Sequence, residues 1–103
     1  MVGVFFEVNT PNGIIIRTTE AYWEKIVKLK HPSMLNEEEK VKLALTKPKE
    51  IRQSKRDKSI LLYYKHFESF YVCVVVKVTR QEGFIVTAYK TDKVKEGKVI
   101  WQK

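Results

Sequence analysis

The side chains best suited to chemistry in this sequence are histidine, basic and hydroxyl groups, and they do not form a metal-binding pattern. The chain has two histidines, His31 and His66, and one cysteine, Cys73. Their spacing does not resemble a zinc site, and no phosphate-binding or dinucleotide-binding glycine motif is present. No Ser–His–Asp signature is visible either. We therefore expect no metal and no cofactor.

Metal-free cleavage of RNA is a reaction that such side chains can support. The substrate's own 2′-hydroxyl can attack the phosphorus if a base takes its proton and an acid protonates the leaving 5′ oxygen. Cations must then stabilise the charge that develops on the phosphoryl oxygens. His31 is the candidate acid or base, because the ordinary pKa of histidine lies near neutrality. Lys77 and Arg52 are candidates for contacting the phosphate.

Hydroxyl and aromatic residues complete the candidate site. Thr87 and Tyr89 can donate hydrogen bonds to a phosphate, and a tyrosine can stack on a base. The segment 47–58, KPKEIRQSKRDK, holds six basic residues and two acids, and such a local excess is typical of a nucleic-acid contact. The candidate RNA-binding residues are Tyr63, Lys65, Lys55 and Arg56.

Each of these residues also has an ordinary structural interpretation. His31, which precedes a proline, could cap the end of a helix. Lys77 could extend its ammonium group to water from an edge strand. Arg52 and Arg56 could be surface charges, and strand tyrosines are often packing residues.

Composition limits the class of protein. The 103 residues carry a formal net charge of +8, with 44% hydrophobic residues, which favours one folded domain over 1–103 and a polyanionic partner. A lysine-rich soluble surface would give the same charge. The lone cysteine, the lack of a long apolar stretch and the lack of a secretion signal predict a cytoplasmic protein without membrane contact.

The first half of the chain predicts a hairpin followed by two helices. Two β-rich runs flank Asn12-Gly13, a strong hairpin turn signal. Thr19 can cap a first helix that should stop before Pro32. Asn36 and Glu39 have the spacing of a capping box for a second helix, which Pro48 ends. The apolar stripe of the first helix is expected to contain Tyr22, Trp23, Ile26, Val27 and Leu29.

The second half changes to the two-residue period of strands. The segments EIRQS, SILLYYKHF, SFYVCVVVKVT, FIVTAYKT and KVIW follow one another through short turns. Sequential strands with such short connections favour antiparallel pairing. We therefore predict an α+β fold in which an N-terminal hairpin and two helices precede an antiparallel meander of about four strands, with helices on one face.

Alternation along the strands predicts which side chains share a face of the sheet. Phe70, Val72, Val74, Val76 and Val78 form one apolar set, which should lie under the helices, and Phe84, Val86 and Ala88 should join it. The opposite face is expected to gather Tyr63, Lys65, Lys77, Thr87 and Tyr89. A register slip of one residue would invert this assignment.

Several of these segments together resemble a known group of nucleases. The order HP…PKEIRQSKRDKSILLYYK…YVCVVVKV…GFIVTAYKTDKVKEG, over residues 31–97, is similar to phage- and mobile-element-associated domains of the barnase/EndoU/colicin/RelE-like group. The resemblance implies helices packed on a four-stranded antiparallel sheet, and metal-independent RNA cleavage on the open sheet face. The site residues that it implies are His31, Arg52, Tyr64, Lys65, Lys77, Thr87 and Tyr89. Alternation favours Tyr63 over Tyr64, and we keep Tyr63.

The expected function is that of an endoribonuclease that leaves a 2′,3′-cyclic phosphate, as a toxin or an accessory of a mobile element. His31 would act as base or acid, and Lys77 and Arg52 would stabilise the transition state. A non-catalytic nucleic-acid-binding module is one alternative, because it needs only the basic loop and the aromatic residues. A partner of an acidic, antitoxin-like protein is another.

Overall fold

The computed structural model describes residues 4–94 and 96–103, which form one sheet with helices packed against it. The strands are β1 Val4–Asn9, β2 Ile15–Thr19, β3 Glu50–Gln53, β4 Ile60–Phe67, β5 Phe70–Thr79, β6 Glu82–Thr91 and β7 Lys98–Gln102. The helices are α1 Glu20–Lys25, its continuation as a π-helix over Ile26–Lys30, a 3₁₀ turn at Pro32–Met34, and α2 Glu38–Thr46.

The sheet is mixed and has seven strands, so the predicted four-stranded antiparallel meander is wrong. The strand order is β1-β2-β6-β5-β4-β3-β7. Strand β2 joins the hairpin to the rest of the sheet by parallel pairing of Ile15–Arg17 with Glu82–Phe84, and β7 pairs antiparallel with β3 at the far edge. The period of two identified the strands, but it carries no information on pairing between distant segments.

The helices follow the sequence signals in part. Thr19 caps α1, and its side-chain oxygen accepts a hydrogen bond from the backbone N–H of Tyr22 at 3.1 Å. Leu29, predicted to be buried, is 80% exposed, because the wider π-helical turn changes the spacing on which the stripe was counted. The capping box at Asn36 is not formed: α2 begins at Glu38, without a side-chain cap, and Asn36 has φ 63°.

The main core lies between the helices and one face of the sheet, which we call the helix-covered face. Val72, Val74 and Val76 of β5 define this face, and all three are fully buried, as predicted. The buried residues that pack with them from the helices are Trp23, Ile26, Val27, Val41, Ala44 and Leu45. The alternate residues of β5 therefore point to the other side of the sheet.

The opposite side, which we call the open face, is defined by Tyr71, Cys73, Val75 and Lys77 of β5. It has its own small buried cluster of Leu62, Tyr64 and Cys73. The chain between β6 and β7 must pass over this face, because the two strands lie four positions apart in the sheet. Val94 of this connection packs against the cluster. In the described part of the chain, no helix has the length and apolar character required to cross a membrane.

A β-bulge in β6 changes the side chains that face the core. Val75 pairs with Thr87, but Val76 pairs with Ile85, so Val86 is the extra residue. Ile85 is consequently buried at 0% exposure, and Phe84 is 49% exposed on the open face. The expected placement of Phe84 on the helix-covered face is therefore wrong, whereas that of Ala88 is confirmed.

Candidate functional site

A shallow cleft of about 450 Å³ lies on the open face, centred on the Val75–Thr87 pair of β5 and β6. Its walls come from the sheet, from the end of the π-helix, from the loop after β3 and from the connection before β7. The lining residues are His31, Ser54, Ile60, Leu62, Val75, Thr87, Tyr89 and Glu96.

His31 reaches the open face because the edge of β6 is not covered by a strand along its whole length. Strand β2 pairs with β6 only as far as Phe84. Beyond that point, the carbonyl oxygen of Val86 accepts hydrogen bonds from the Tyr22 hydroxyl and from Lys30 Nζ, both at 3.1 Å. These bonds hold the end of the π-helix against the strand edge. The His31 ring then lies on the Tyr89 ring, with centroids 5.4 Å apart.

Two hydroxyl groups in the cleft are available to a ligand. Thr87 Oγ1 is buried, and no other described residue forms a hydrogen bond with it. Ser54 Oγ accepts the backbone N–H groups of Arg56 and Asp57, at 3.2 and 3.4 Å, which leaves its proton for donation. A buried polar group without a partner is costly.

The floor beneath the cleft contains groups that stay protonated. Burial is the main cause that raises the pKa values of Tyr64 and Tyr89 and raises the pKa of the Cys73 thiol to about 12. These three groups therefore act as neutral hydrogen-bonding side chains and not as bases. The other ionisable side chains of the cleft lining are an imidazole and a carboxylate.

The carboxylate is that of Glu96, which sequence reasoning missed. It lies in the segment DKVKEG, read from the sequence only as a turn. Gly97 follows in the left-handed region, at φ 84°, where a Cβ atom would lie 2.6 Å from the carbonyl oxygen of Gln53. This glycine allows the chain to pass close to β3 and to bring Glu96 over the sheet. The signal that could have found Glu96 is the need for this connection to cross the open face.

Lys77 and Arg52 lie on the open face, but each forms an ion pair with a carboxylate of the protein itself. Lys77 Nζ is 3.1 Å from Asp57 Oδ2, and hydrogen bonds from Ser59 and then from Lys77 lower the Asp57 pKa to about 2. Lys77 lies two residues beyond Val75, about 7 Å along the strand, so it borders the cleft.

Arg52 has a structural role instead. Its Nε is 2.6 Å from Glu50 Oε2, and its Nη1 donates to the Gly97 carbonyl oxygen at 3.3 Å. Arg52 thus fastens the β6–β7 connection to β3.

The face assignment of Tyr63 and Lys65 is wrong. Tyr63 pairs with Val74 and Lys65 with Val72, so both belong to the helix-covered side. Tyr63 is fully buried and donates a hydrogen bond to Asn12 Oδ1 at 2.8 Å. Tyr64 pairs with Cys73 and lies on the open face, where the resemblance had implied it. The alternation of β4 was correct, but its register against β5 was taken one residue out of step.

The remaining candidates lie around the cleft. Lys55 and Arg56 directly follow Ser54 and are exposed, so they stand beside its rim. His66 lies outside the cleft lining, and its ring makes a tilted contact with the Tyr71 ring, with centroids 4.7 Å apart. Within residues 4–94 and 96–103, no group of three or more His, Cys, Asp or Glu side chains could hold a metal ion.

Comparisons of this chain with protein-family models, with curated proteins and with solved structures gave no match. The function is therefore argued from the cleft itself.

Proposed function

We propose that the protein is a metal-independent endoribonuclease whose reaction takes place in the open-face cleft. The observation that carries the proposal is the meeting of His31 with Glu96 and the unpartnered Thr87 hydroxyl in one cleft, although His31 comes from a distant part of the chain. Cleavage by the 2′-hydroxyl of RNA requires one base, one acid and donors to the phosphate. The cleft contains a group of each type.

The roles follow from the chemistry of each group. Glu96 and His31 are the pair that takes the 2′ proton and protonates the 5′ oxygen. Ser54 and Thr87 donate to the phosphoryl oxygens, and the tilted contact with Tyr89 orients the His31 ring. The product of the first step is a 2′,3′-cyclic phosphate. This scheme replaces Arg52 by Glu96 among the reacting groups, because the Arg52 donors are used within the fold.

The charge around the cleft comes from its rim rather than its walls. The lining residues include neither lysine nor arginine, whereas Lys55, Arg56 and Lys58 are exposed in the adjacent loop. Lys77 contributes if its ammonium group exchanges the Asp57 carboxylate for a phosphate. Such an exchange costs little free energy, because both side chains are half-exposed, at 41% and 48%, and surface ion pairs contribute little to stability.

The absence of a cation in the described lining favours a second candidate, a nucleic-acid-binding module without catalysis. That module would bind RNA through the basic rim and the aromatic side chains. Of the seven residues that the resemblance to the barnase/EndoU/colicin/RelE-like group implies for a nuclease, His31, Tyr64, Thr87 and Tyr89 lie in or under the cleft. Lys77 borders the cleft, whereas Arg52 and Lys65 do not line it. The link to an acidic, antitoxin-like partner remains a prediction.

Incubation of the purified protein with RNA in EDTA tests the proposal. We expect cleavage, products that end in a 2′,3′-cyclic phosphate, and a loss of about 10²–10⁴-fold in rate for His31→Ala. His66→Ala is the matched control, because it removes the second histidine of the chain from outside the cleft, and it should cleave normally. Intact RNA across pH 5–8, with salt-sensitive binding that survives His31→Ala, would establish the binding module instead.

A further inference from the structure

The β-bulge at Val86 turns a large aromatic ring out of the core and onto the open face. Without the extra residue, alternation would place Phe84 under the helices with Ala88. With it, Phe84 is 49% exposed and stands directly opposite Lys77 of β5. Bulges are frequent beside active sites, where they redirect a side chain. This bulge produces an exposed phenylalanine next to the candidate cleft.

Phe84 lies between two cationic side chains on neighbouring strands. Arg17 of β2 is its partner on one side and Lys77 is its partner on the other. The Arg17 guanidinium contacts Glu7 at 3.2 Å and Glu82 at 2.9 Å. All of these ion-pair partners are exposed or half-exposed, so a ligand phosphate can compete with them.

There is room for a planar ligand beside the ring. Phe84 forms part of the wall of two adjoining cavities of about 380 and 300 Å³. The smaller cavity lies where β2 and β6 separate, and it is lined by apolar side chains such as Val4, Tyr22 and Ile85. An aromatic ring with an open side and flanking cations is the arrangement on which single-stranded nucleic acids stack their bases.

The position of Phe84 relative to the cleft fits a chain of nucleotides. The Lys77–Phe84 pair lies two residues along β5 from the Val75–Thr87 pair at the centre of the cleft. Two strand residues span about 7 Å, which one extended nucleotide can bridge. Val94 packs against Cys73 and its neighbours, which lie on the other side of the cleft from Phe84.

We propose that Phe84 is a stacking platform for the nucleobase next to the phosphate held in the cleft, and that the ligand is single-stranded RNA. The identity of the ligand rests on the proposed function, whereas the stacking site rests on the bulge and on its cationic neighbours. A base paired in a duplex could not lie flat on this ring. The site therefore selects unpaired RNA without reading its sequence through hydrogen bonds.

Equilibrium binding of a short RNA with 2′-O-methyl groups tests this site without cleavage, because methylation blocks the attacking hydroxyl. We expect Phe84→Ala and Phe84→Leu to weaken binding about tenfold and Phe84→Trp to retain it. Leu29→Ala is the matched control, since it removes another exposed apolar side chain, 80% exposed, outside the cleft lining. Binding by Phe84→Ala within twofold of the wild type would overturn the proposal.

An abasic scan assigns the contact to a base rather than to a protein surface. Removing one base at a single position of the oligonucleotide should weaken wild-type binding about tenfold, and should have no further effect on Phe84→Ala. Equal effects of the abasic change on the wild type and on Phe84→Ala would overturn the site. The site would also be overturned if Phe84 mediated dimerisation of the protein while the wild type bound RNA no more tightly than Phe84→Ala. The cleavage assay in EDTA tests the proposed nuclease function independently of RNA binding. If the protein cleaves RNA and Phe84→Ala binds RNA normally, only the stacking proposal is wrong. If RNA binding depends on Phe84 but no cleavage occurs, only the nuclease proposal is wrong.

Discussion

The two faces of the sheet differ in how completely the fold buries the side chains of one strand. Val72, Val74 and Val76 of β5 are fully buried against the helices. The alternate residues of the strand lie on the open face. There Cys73 belongs to a buried thiol–tyrosine cluster, Val75 lines the cleft and Lys77 forms an ion pair. The helix-covered face is apolar and closed, whereas the open face contains one buried hydroxyl, that of Thr87, without a hydrogen-bond partner among the described residues.

The difference indicates where a ligand is expected. Polar groups of the helix-covered side have partners within the protein, as the buried Tyr63 hydroxyl does in Asn12. The open face leaves Thr87 Oγ1 buried without one in the described structure. Since such a group lowers the stability of a protein, the proposed ligand would offset that cost by accepting a hydrogen bond from it.

The strongest contrast is expected in catalysis and concerns Glu96. Glu96→Gln keeps the shape of the side chain and removes its ability to exchange a proton, so RNA cleavage should fall about 10²-fold or more. Glu39→Gln is the matched control, because the Glu39 side chain is 84% exposed on α2. Single-turnover cleavage rates in EDTA measure both. Normal cleavage by Glu96→Gln would assign the proton transfer to other groups.

The next contrast compares two adjacent valines of β5. Val74→Ala leaves a cavity under the helices and should lower the free energy of unfolding by about 2–3 kcal/mol. Val75→Ala, on the half-buried open side, should cost about 1 kcal/mol or less. Urea unfolding of the two variants measures the difference. Equal losses would show that the open face contributes as much to stability as the helix-covered face.

The sequence predicted the strands far better than their pairing. The β-rich runs and a turn signal predicted the two strands of the hairpin, and the two-residue period predicted the later segments, which were expected to form a meander of about four strands. Such alternation is a local property of each segment. It could not show that β2 lies parallel to β6, or that β7 crosses to β3, since those pairings join segments far apart in the chain. The bulge at Val86 was also invisible, because one unpaired residue inside an apolar run leaves the composition unchanged.

Some of the candidate residues were chosen from the sequence by residue type alone. His31, Thr87 and Tyr89 were singled out and do line one cleft. Alternation favoured Tyr63 over Tyr64, and this choice was wrong because alternation does not fix the register between β4 and β5. That register depends on their turn, and a slip of one residue exchanges the faces. Glu96 was missed because a carboxylate in a charged turn is ordinary until the path of that turn is known.

A smaller contrast separates two threonine hydroxyls. Thr87→Val removes a buried hydroxyl without a protein partner, so stability should be unchanged or rise slightly, while cleavage falls. Thr10→Val removes a hydroxyl that bonds Asn12 at 2.6 Å and Ile14 at 3.0 Å, and should lower the free energy of unfolding by about 1–3 kcal/mol. Thermal unfolding of both variants checks the signs. Destabilisation by Thr87→Val would indicate a partner within the protein.

The smallest expected effect is the acid response of Asp57. Hydrogen bonds from Ser59 and Lys77 lower its pKa from 3.8 to about 2, so its contribution to stability is present above pH 4 and is lost as the pH falls towards 2. The difference in melting temperature between the wild type and Asp57→Asn should shrink over that range. Ser59→Ala should reproduce part of the difference, because it removes one donor to Asp57. A difference that stays constant down to pH 2 would contradict this pairing.

The most direct test of the open-face site is an NMR titration of the two histidine rings with a nucleoside 3′-monophosphate, which carries the phosphate and base of a cleavage product. The chain contains only His31 and His66, so His66→Ala assigns both Cε1–H signals. A site in the cleft predicts a saturable shift of the His31 signal and an unchanged His66 signal. A shift at His66 alone, or no shift at either ring at millimolar nucleotide, would contradict a nucleotide site at His31.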